Sequence, residues 1–245
     1  VCSSDLGFIV GSVARASVID GSRIVDGDVL VGLASSGLHT NGYTLARKIV
    51  FEVMALSVDD IFPGTERTVG EELLAVHRSY ANVLDEPLNA GIVHGLAHVT
   101  GGGIPGNLPR VLPEGLGAVV DRDAWPVPAV FETLQEAGGV DRAEMDRVFN
   151  MGIGMIVVVA PDDVAAIHAT AQAPSSTAMK HASPAAPYPD SRDHSCAATA
   201  SGSASNALHQ ALGSVNAAVR NTRSATDRKS TRLNSSHVRT SRMPS

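Results

Sequence analysis

The sequence predicts a layered α/β or α+β domain in which a mixed sheet packs against helices. Short apolar runs typical of strands alternate, along residues 7–170, with segments whose apolar residues recur every three or four positions. Glycines and prolines separate the two kinds of segment, as expected of turns. A domain of this length buries roughly 70% of its unfolded surface, which is enough for one core.

The first half of this region predicts two strands and two helices. Residues 7–16 alternate apolar with small or polar side chains, and residues 28–34 form a short apolar run, so both ranges are predicted strands. Residues 42–55 and 69–88 repeat apolar side chains at helical spacing. Pro87 is expected to end or kink the second helix.

The middle of the region continues the alternation. Residues 92–99 are strand-like, three successive glycines then break the chain, and residues 107–112 predict a short helix despite Pro109. Residues 116–120 predict another strand.

The last elements are helical except for one strand. Helices are predicted at 126–137 and 141–147, a buried strand at 154–160, and a further helix over 161–169. No strand is predicted after residue 169, so we expect the domain to be truncated at its end.

Charge divides the chain into two parts. Residues 1–170 hold 10 basic and 22 acidic residues, whereas residues 171–245 hold 9 and 3. The second part contains 15 serines and no sustained periodicity, so it is predicted to be disordered. Its basic end, residues 227–245, matches a nucleic-acid-binding arm on charge alone.

The two ends predict a domain organisation. The opening VCSSDL and the later DRKSTRLNSSH resemble translated sequencing-adaptor DNA. We therefore predict a non-native leader over residues 1–6, an incomplete domain over 7–170 and a non-native tail over 171–245. The chain has two cysteines, no apolar run of the roughly 20 residues that a bilayer requires and no signal sequence, so a reducing, cytoplasmic location is predicted.

The turn SSGLHTNG, between a predicted strand and a predicted helix, is the first candidate site. It combines two glycines, several hydroxyls, His39 and Asn41. His39 is the sharpest candidate for catalysis because an imidazole with a pKa near 6.5 exchanges protons near neutrality. Alternatively, the histidine merely caps the helix. The turn lacks the Gly-Lys-Ser/Thr of a P-loop.

The segment HVTGGGIPGNLPR, which runs from His98 to Arg110, is the second candidate. Bare backbone at Gly101, Gly102 and Gly103 could approach an oxyanion or phosphate, and Asn107 and Arg110 lie three residues apart. Alternatively, the glycines form a flexible connector.

The remaining polar candidates are weaker. Asn150 precedes the last strand and could turn its amide toward a ligand, although periodicity alone favours a mere strand entry. No metal ligands are predicted, and His77, His94 and His168 are interpreted as surface or core histidines because no second ligand stands at metal spacing.

Three segments together resemble one family. GDVLVGLASSGLHTNGYTLARKI, AHVTGGGIPGNLPRVLP and VFNMGIGMIVVV are similar, in order and spacing, to the C-terminal domain of phosphoribosylformylglycinamidine cyclo-ligases, over about residues 7–167. The resemblance implies ATP-dependent closure of formylglycinamidine ribonucleotide to aminoimidazole ribonucleotide in purine synthesis. It also implies that the family's N-terminal domain, which this sequence lacks, supplies most of the ATP and Mg²⁺ site and the homodimer interface.

The resemblance also assigns roles to residues. His39 and Asn41 would lie in the active-site loop with Ser36 and Gly37, and His39 would handle a proton or polarise the formamide. The substrate and its phosphate would be held by a larger group: Ser36, Gly37, Thr100, Gly101, Gly102, Gly103, Asn107 and Arg110. The chain alone is predicted to be inactive.

Two alternatives remain open from the sequence. The chain could be a fragment of formylglycinamidine ribonucleotide synthetase or of another ATP-using relative. It could also be a non-catalytic binding module whose basic tail contacts nucleic acid. We favour a small-molecule nucleotide precursor as the partner, with neither nucleic acid nor membrane.

Overall fold

The computed structural model describes residues 10–172 and 217–221. The strands are β1 (Val29–Ala34), β2 (Val93–His98), β3 (Leu116–Val119), β4 (Ile153–Val159) and β5 (Ala217–Asn221). The helices are α1 (Tyr43–Arg47), which continues as a π-helical segment (Lys48–Val53), α2 (Val69–Leu73), α3 (Ala81–Asn89), α4 (Gly103–Asn107), α5 (Ala129–Gly138), α6 (Arg142–Val148) and α7 (Val164–Gln172). The predicted layering of a sheet with helices is confirmed.

The sheet is antiparallel, so the prediction of a mixed sheet is wrong. The strand order is β2-β4-β1-β5-β3, and each neighbouring pair runs in opposite directions. Direction depends on which strands pair, and β1 pairs with β4, which comes far later in the chain. Periodicity within a strand carries no information on that choice.

Apolar side chains divide among three cores. Leu30 and Val31 point to opposite faces of the sheet, as successive strand residues must. The Trp125 core on one face comprises Ile24, Leu30, Ala97, Val99, Leu108, Trp125, Ile153, Ile156 and Val158. The Tyr80 core on the other face comprises Val31, Leu33, Tyr80, Leu84, Val93, Val157, Val159 and Ile167. The helical core includes Leu38, Phe62, Phe131, Met145 and Phe149.

Two predicted elements differ in the structure. Residues 10–16 form no strand: a 3₁₀ turn covers Arg15–Ser17, and Val10 is 94% exposed. Alternating side chains suit a strand, but they do not supply the neighbouring strand with which it must pair. The helix predicted over 69–88 is two helices. Thr68 closes a capping box with Glu71 at the start of α2, and a segment without regular structure separates α2 from α3. α3 contains Pro87 without ending there.

The glycine-rich segment also folds differently from its prediction. α4 begins at Gly103, and a 3₁₀ turn over Leu108–Arg110 follows where a helix at 107–112 is expected. Gly102 accommodates this early start by adopting a φ of 102° at the N-cap.

A strand is present in the part of the chain predicted to contain none. β5 lies between β1 and β3 and pairs antiparallel with both. Its place follows from the backbone N–H and C=O groups that β1 and β3 would otherwise leave without sheet partners. The rest of the predicted tail and the predicted leader lie outside the described residues. Within the described part, none of the helices has the length and apolar character needed to cross a bilayer.

Candidate functional site

Three segments meet at one edge of the sheet. β1 and β2 are both antiparallel to β4, so both end where β4 begins. The Ser35 N–H donates to the Gly152 carbonyl at 2.8 Å, and the Val99 N–H donates to the Gly154 carbonyl at 2.9 Å. We call this region, residues 35–42, 99–103 and 150–154, the glycine edge.

Asn150 joins two of these segments. Its side chain is buried, and its amide donates to the Gly37 carbonyl at 2.8 Å. Its carbonyl oxygen accepts from the Ser35 hydroxyl at 2.9 Å and from the Gly152 N–H at 2.8 Å. A buried amide with these three bonds fixes the turn after β1 against the start of β4.

Ser36 attaches a further segment that the sequence did not connect to the site. Its hydroxyl donates to the Val76 carbonyl at 2.7 Å and accepts from the Arg78 N–H at 3.1 Å. Arg78 and Tyr80 in turn donate to the Ala34 carbonyl, at 3.2 and 2.9 Å. These bonds hold the segment between α2 and α3 at the end of β1.

His39 occupies a constrained position beneath that segment. Its backbone has a φ of 56°, and its ring is only 4% exposed. The Ser36 N–H donates to Nε2 at 3.1 Å, which places the proton of the neutral ring on Nδ1. Nδ1 is buried and has no hydrogen-bond partner among the described residues.

Two further imidazoles complete what we call the histidine cluster, His39, His77 and His98. The His77 ring stacks on His39 with centroids 3.8 Å apart and planes inclined by 27°. Nε2 of His77 lies 3.3 Å from Nε2 of His98. Nδ1 of His77 donates to the Arg78 carbonyl at 2.8 Å, which leaves its Nε2 as an acceptor.

The environment of the cluster disfavours protonation. Burial is the main reason that the pKa of His39 is lowered from 6.5 to about 4, and the nearby His77, His98 and Arg78 contribute to the same shift. Burial and His77 also lower the pKa of His98. His39 is therefore a neutral ring at pH 7.

Tyr80 packs beside the cluster and depends on a glycine opposite. Its ring centroid lies 6.3 Å from that of His39, and burial raises the pKa of its hydroxyl to about 12. A β-carbon at Gly154 would lie 2.6 Å from Cε1 of His39 and closer still to the Tyr80 hydroxyl. Only glycine at this point of β4 lets both rings approach the strand.

The turn after β2 meets the turn after β1 at one point. A β-carbon on Gly101 would lie 3.4 Å from the Asn41 side-chain oxygen, and Gly101 is exposed. Two of the turn's N–H groups are already used, because Gly102 donates to the Arg147 carbonyl and Gly103 to the Thr100 carbonyl.

Asn107 lies inside this turn rather than on its surface. Its amide donates to the Gly103 carbonyl at 2.8 Å and to the Thr100 and Gly101 carbonyls at 3.3 Å. Its carbonyl oxygen accepts from the Thr100 hydroxyl at 3.1 Å. As placed, Asn107 holds the shape of the glycine turn.

Arg110 is the last residue of the predicted phosphate-binding segment. It is exposed at the end of the 3₁₀ turn, two residues after Leu108, which belongs to the Trp125 core. Tyr80, beside the cluster, belongs to the core on the opposite face. The predicted pairing of His39 with Arg110 in one pocket stays a prediction.

Sequence reasoning missed His77, Tyr80 and Gly154. No sequence motif indicated these residues, because His39, His77 and His98 are far apart along the chain. Only the positions of His39 and His98 at the ends of β1 and β2 could have suggested that these two residues are neighbours. His77 reaches the other two rings because it lies in the break between α2 and α3, where the apolar pattern predicts one continuous helix.

The fold and this edge can be compared with known proteins. The family described as "AIR synthase related protein, C-terminal domain" matches residues 25–179. The chain belongs to this family. Within this AIR synthase related family, the chain is similar to phosphoribosylformylglycinamidine cyclo-ligases from several bacteria.

Three relatives show the extent of the similarity. The protein from Geotalea daltonii is 49% identical over 161 residues, which are 66% of this chain and 46% of the relative. That from Citrifermentans bemidjiense is 53% identical over 153 residues, 62% of this chain and 44% of the relative. That from Sorangium cellulosum is 50% identical over 155 residues, with the same shares. The chain spans about half the length of these relatives.

Proposed function

We propose that this chain supplies the C-terminal part of a phosphoribosylformylglycinamidine cyclo-ligase, which closes formylglycinamidine ribonucleotide to aminoimidazole ribonucleotide with consumption of ATP. The observation that carries the proposal is an identity of 49% over 161 residues and of 53% over 153 residues with relatives that bear this name. The proposed setting is cytoplasmic purine synthesis, with a small nucleotide precursor as the partner.

The chemistry requires an activated formamide. Its oxygen is a poor leaving group, so ATP phosphorylates it, and an amine of the same substrate then attacks the formyl carbon and expels phosphate. Holding both ends of one molecule makes the attack intramolecular, which supplies much of the rate enhancement. The glycine edge would contribute to that hold.

We assign His39 the polarisation of the formamide in preference to proton transfer. A ring whose pKa is about 4 is neutral at pH 7, and with Nε2 occupied by the Ser36 N–H its Nδ1–H is the available donor. Because Nδ1 is buried, this role requires the packing around Nδ1 to open when substrate binds. Asn41, half-buried beside Gly101, would position the substrate.

The phosphate of the substrate is assigned to the exposed side of the glycine turn. Gly101 is open to solvent next to Asn41, and Thr100 is partly exposed. Arg110 would contribute its charge from the following 3₁₀ turn. Asn107 and Asn150 would act as positioning residues, since their amides bind the backbone of the two turns.

The described glycine edge does not fit Mg²⁺. That ion prefers oxygen ligands in octahedral geometry, whereas the glycine edge contains no carboxylate and the histidine cluster beside it offers imidazoles. The nearby carboxylate of Glu72 is buried and pairs with Arg67 at 3.3 Å. We therefore derive no step through Mg²⁺ here and assign ATP and Mg²⁺ to the N-terminal domain of the whole enzyme, as we do the homodimer interface.

A chimaeric enzyme tests the proposal. Residues 7–172 would replace the matching segment of the Geotalea daltonii relative, and ADP and aminoimidazole ribonucleotide would be measured. We expect turnover in the chimaera, none from the chain alone, and a loss of about 10²-fold or more in the His39→Ala chimaera. His168→Ala, a histidine in α7, is the matched control. A folded but inactive chimaera, or His39→Ala turnover within about threefold of its parent, would refute the corresponding assignment.

A further inference from the structure

The histidine cluster has the composition of a metal site, independently of the cyclo-ligase proposal. One nitrogen of each ring, in His39, His77 and His98, lies within 4.8 Å of the other two. Imidazole nitrogens are favoured ligands of Zn²⁺, Cu²⁺ and Ni²⁺ and poor ligands of Mg²⁺. Three histidines grouped at one sheet edge therefore select a different class of cation from the one that ATP carries.

The spacing of two of the rings already suits a tetrahedral ion. Zn²⁺ binds imidazole nitrogen at about 2.0–2.1 Å, so two ligands of a tetrahedral site stand about 3.3 Å apart. Nε2 of His77 and Nε2 of His98 are 3.3 Å apart. The cation would take the place of the proton between these two nitrogens, and that proton would move to Nδ1 of His98, so that both rings ligate as neutral imidazoles.

The outer contacts set the rings for this role. The Arg78 carbonyl accepts from Nδ1 of His77 and so turns its Nε2 lone pair toward His98. A backbone carbonyl behind a ligating imidazole is the usual support of a histidine metal site. His98 is exposed and His77 is half-buried, which leaves a path from solvent and an open coordination position.

His39 is placed as the third ligand. Its ring is already the Nδ1–H tautomer, so Nε2 carries the lone pair that a metal needs. Binding would exchange the Ser36 N–H for the cation and tilt the ring away from its stack on His77. One hydrogen bond to a neutral ring contributes far less than a coordinate bond to Zn²⁺.

We propose that His39, His77 and His98 bind one divalent transition cation of the Zn²⁺ class through their Nε2 atoms, with the fourth position open to solvent. An occupied site would compete with the role proposed above for His39. Binding itself needs neither the N-terminal domain nor ATP, so its failure would leave the cyclo-ligase proposal untouched.

The test uses the full chain, stripped with EDTA and titrated with Zn²⁺ by calorimetry. We expect one Zn²⁺ per chain, with affinity reduced at least about tenfold in His77→Ala and in His98→Ala. Both residues are accessible, and far-UV circular dichroism would check that each variant is folded. Mg²⁺ at the same concentration should not compete.

Histidines outside the described residues provide the matched control. A variant with His181, His194 and His209 replaced by alanine should bind Zn²⁺ as the parent does. Binding that survives in His77→Ala and His98→Ala, or that is lost only in this control, would overturn the proposal.

The assignment of His39 has its own test. ¹⁵N spectra of the imidazoles should show Zn²⁺ shifting Nε2 of His39 together with Nε2 of His77 and His98. An unchanged His39 ring would remove it from the site and refute the three-ligand arrangement.

Discussion

His39 is kept neutral by its surroundings, and this makes the stability of the chain depend on pH. Its folded pKa of about 4 lies below the ordinary value of 6.5, mainly because the ring is buried. Between pH 6.5 and 4 the unfolded chain binds a proton that the folded chain does not. The contribution of His39 to the free energy of unfolding is therefore constant above about pH 6.5 and decreases as the pH falls toward 4.

The expected size of this pH effect follows from the shift in the pKa of His39. Urea unfolding of the metal-free chain should show a free energy of unfolding about 1 kcal/mol lower at pH 5.5 than at pH 7.5 on account of His39. His39→Gln should lack this part of the pH dependence. The difference between chain and variant isolates His39 from the other histidines, and a difference that stays constant with pH would show that the ring titrates normally.

The sequence identifies some residues of this edge and not others, for physical reasons. His39, Asn41 and Gly101 stand in turns whose composition is unusual, so inspection finds them. His77 stands in a segment with ordinary apolar spacing. Its place is set by the hydrogen bonds of Ser36 to residues 76 and 78, which no local pattern encodes.

At the scale of the element, β4 is shaped to admit two rings. A methyl group at position 154 would meet Cε1 of His39 and the hydroxyl of Tyr80, which is itself fixed to the Ala34 carbonyl. Gly154→Ala should therefore destabilise the chain by about 1–3 kcal/mol in urea unfolding. Gly106→Ala in α4 is the control, because no heavy atom lies within 4 Å of that added carbon. Equal free energies of unfolding for the two variants would mean that the rings of His39 and Tyr80 move to make room for the methyl group without destabilising the chain.

Elements with strong local signals were predicted best. β1 and β4 are buried apolar runs, and the structure has them within one residue of the predicted ranges. The prediction of one helix over 69–88 was wrong because its apolar residues belong to two helices, the first of which begins at the capping box of Thr68. The prediction of strand direction was wrong for a different reason, because direction is decided by the pairing of segments that are distant in sequence.

At the scale of the molecule, the sheet joins two groups of strands. β2, β4 and β1 form one antiparallel group, and β3 reaches it through β5. β3 is not paired with any other described strand, although Leu116 and Ala118 pack against the Trp125 core. The predicted boundary at residue 170 would remove β5 from the domain, so this boundary has a measurable consequence.

Truncation at two points separates the contribution of β5 from that of the rest of the tail. A chain ending at residue 172 loses the partner of Leu116–Val119, and the amide hydrogens of β3 should exchange with solvent at least about tenfold faster. A chain ending at residue 221 keeps β5 and should protect β3 as the full chain does. Hydrogen exchange followed by mass spectrometry measures both, with amides of β4 as the internal reference. Equal protection of β3 in the two truncated chains would show that the Trp125 core alone holds this strand and that the domain ends where the sequence predicts.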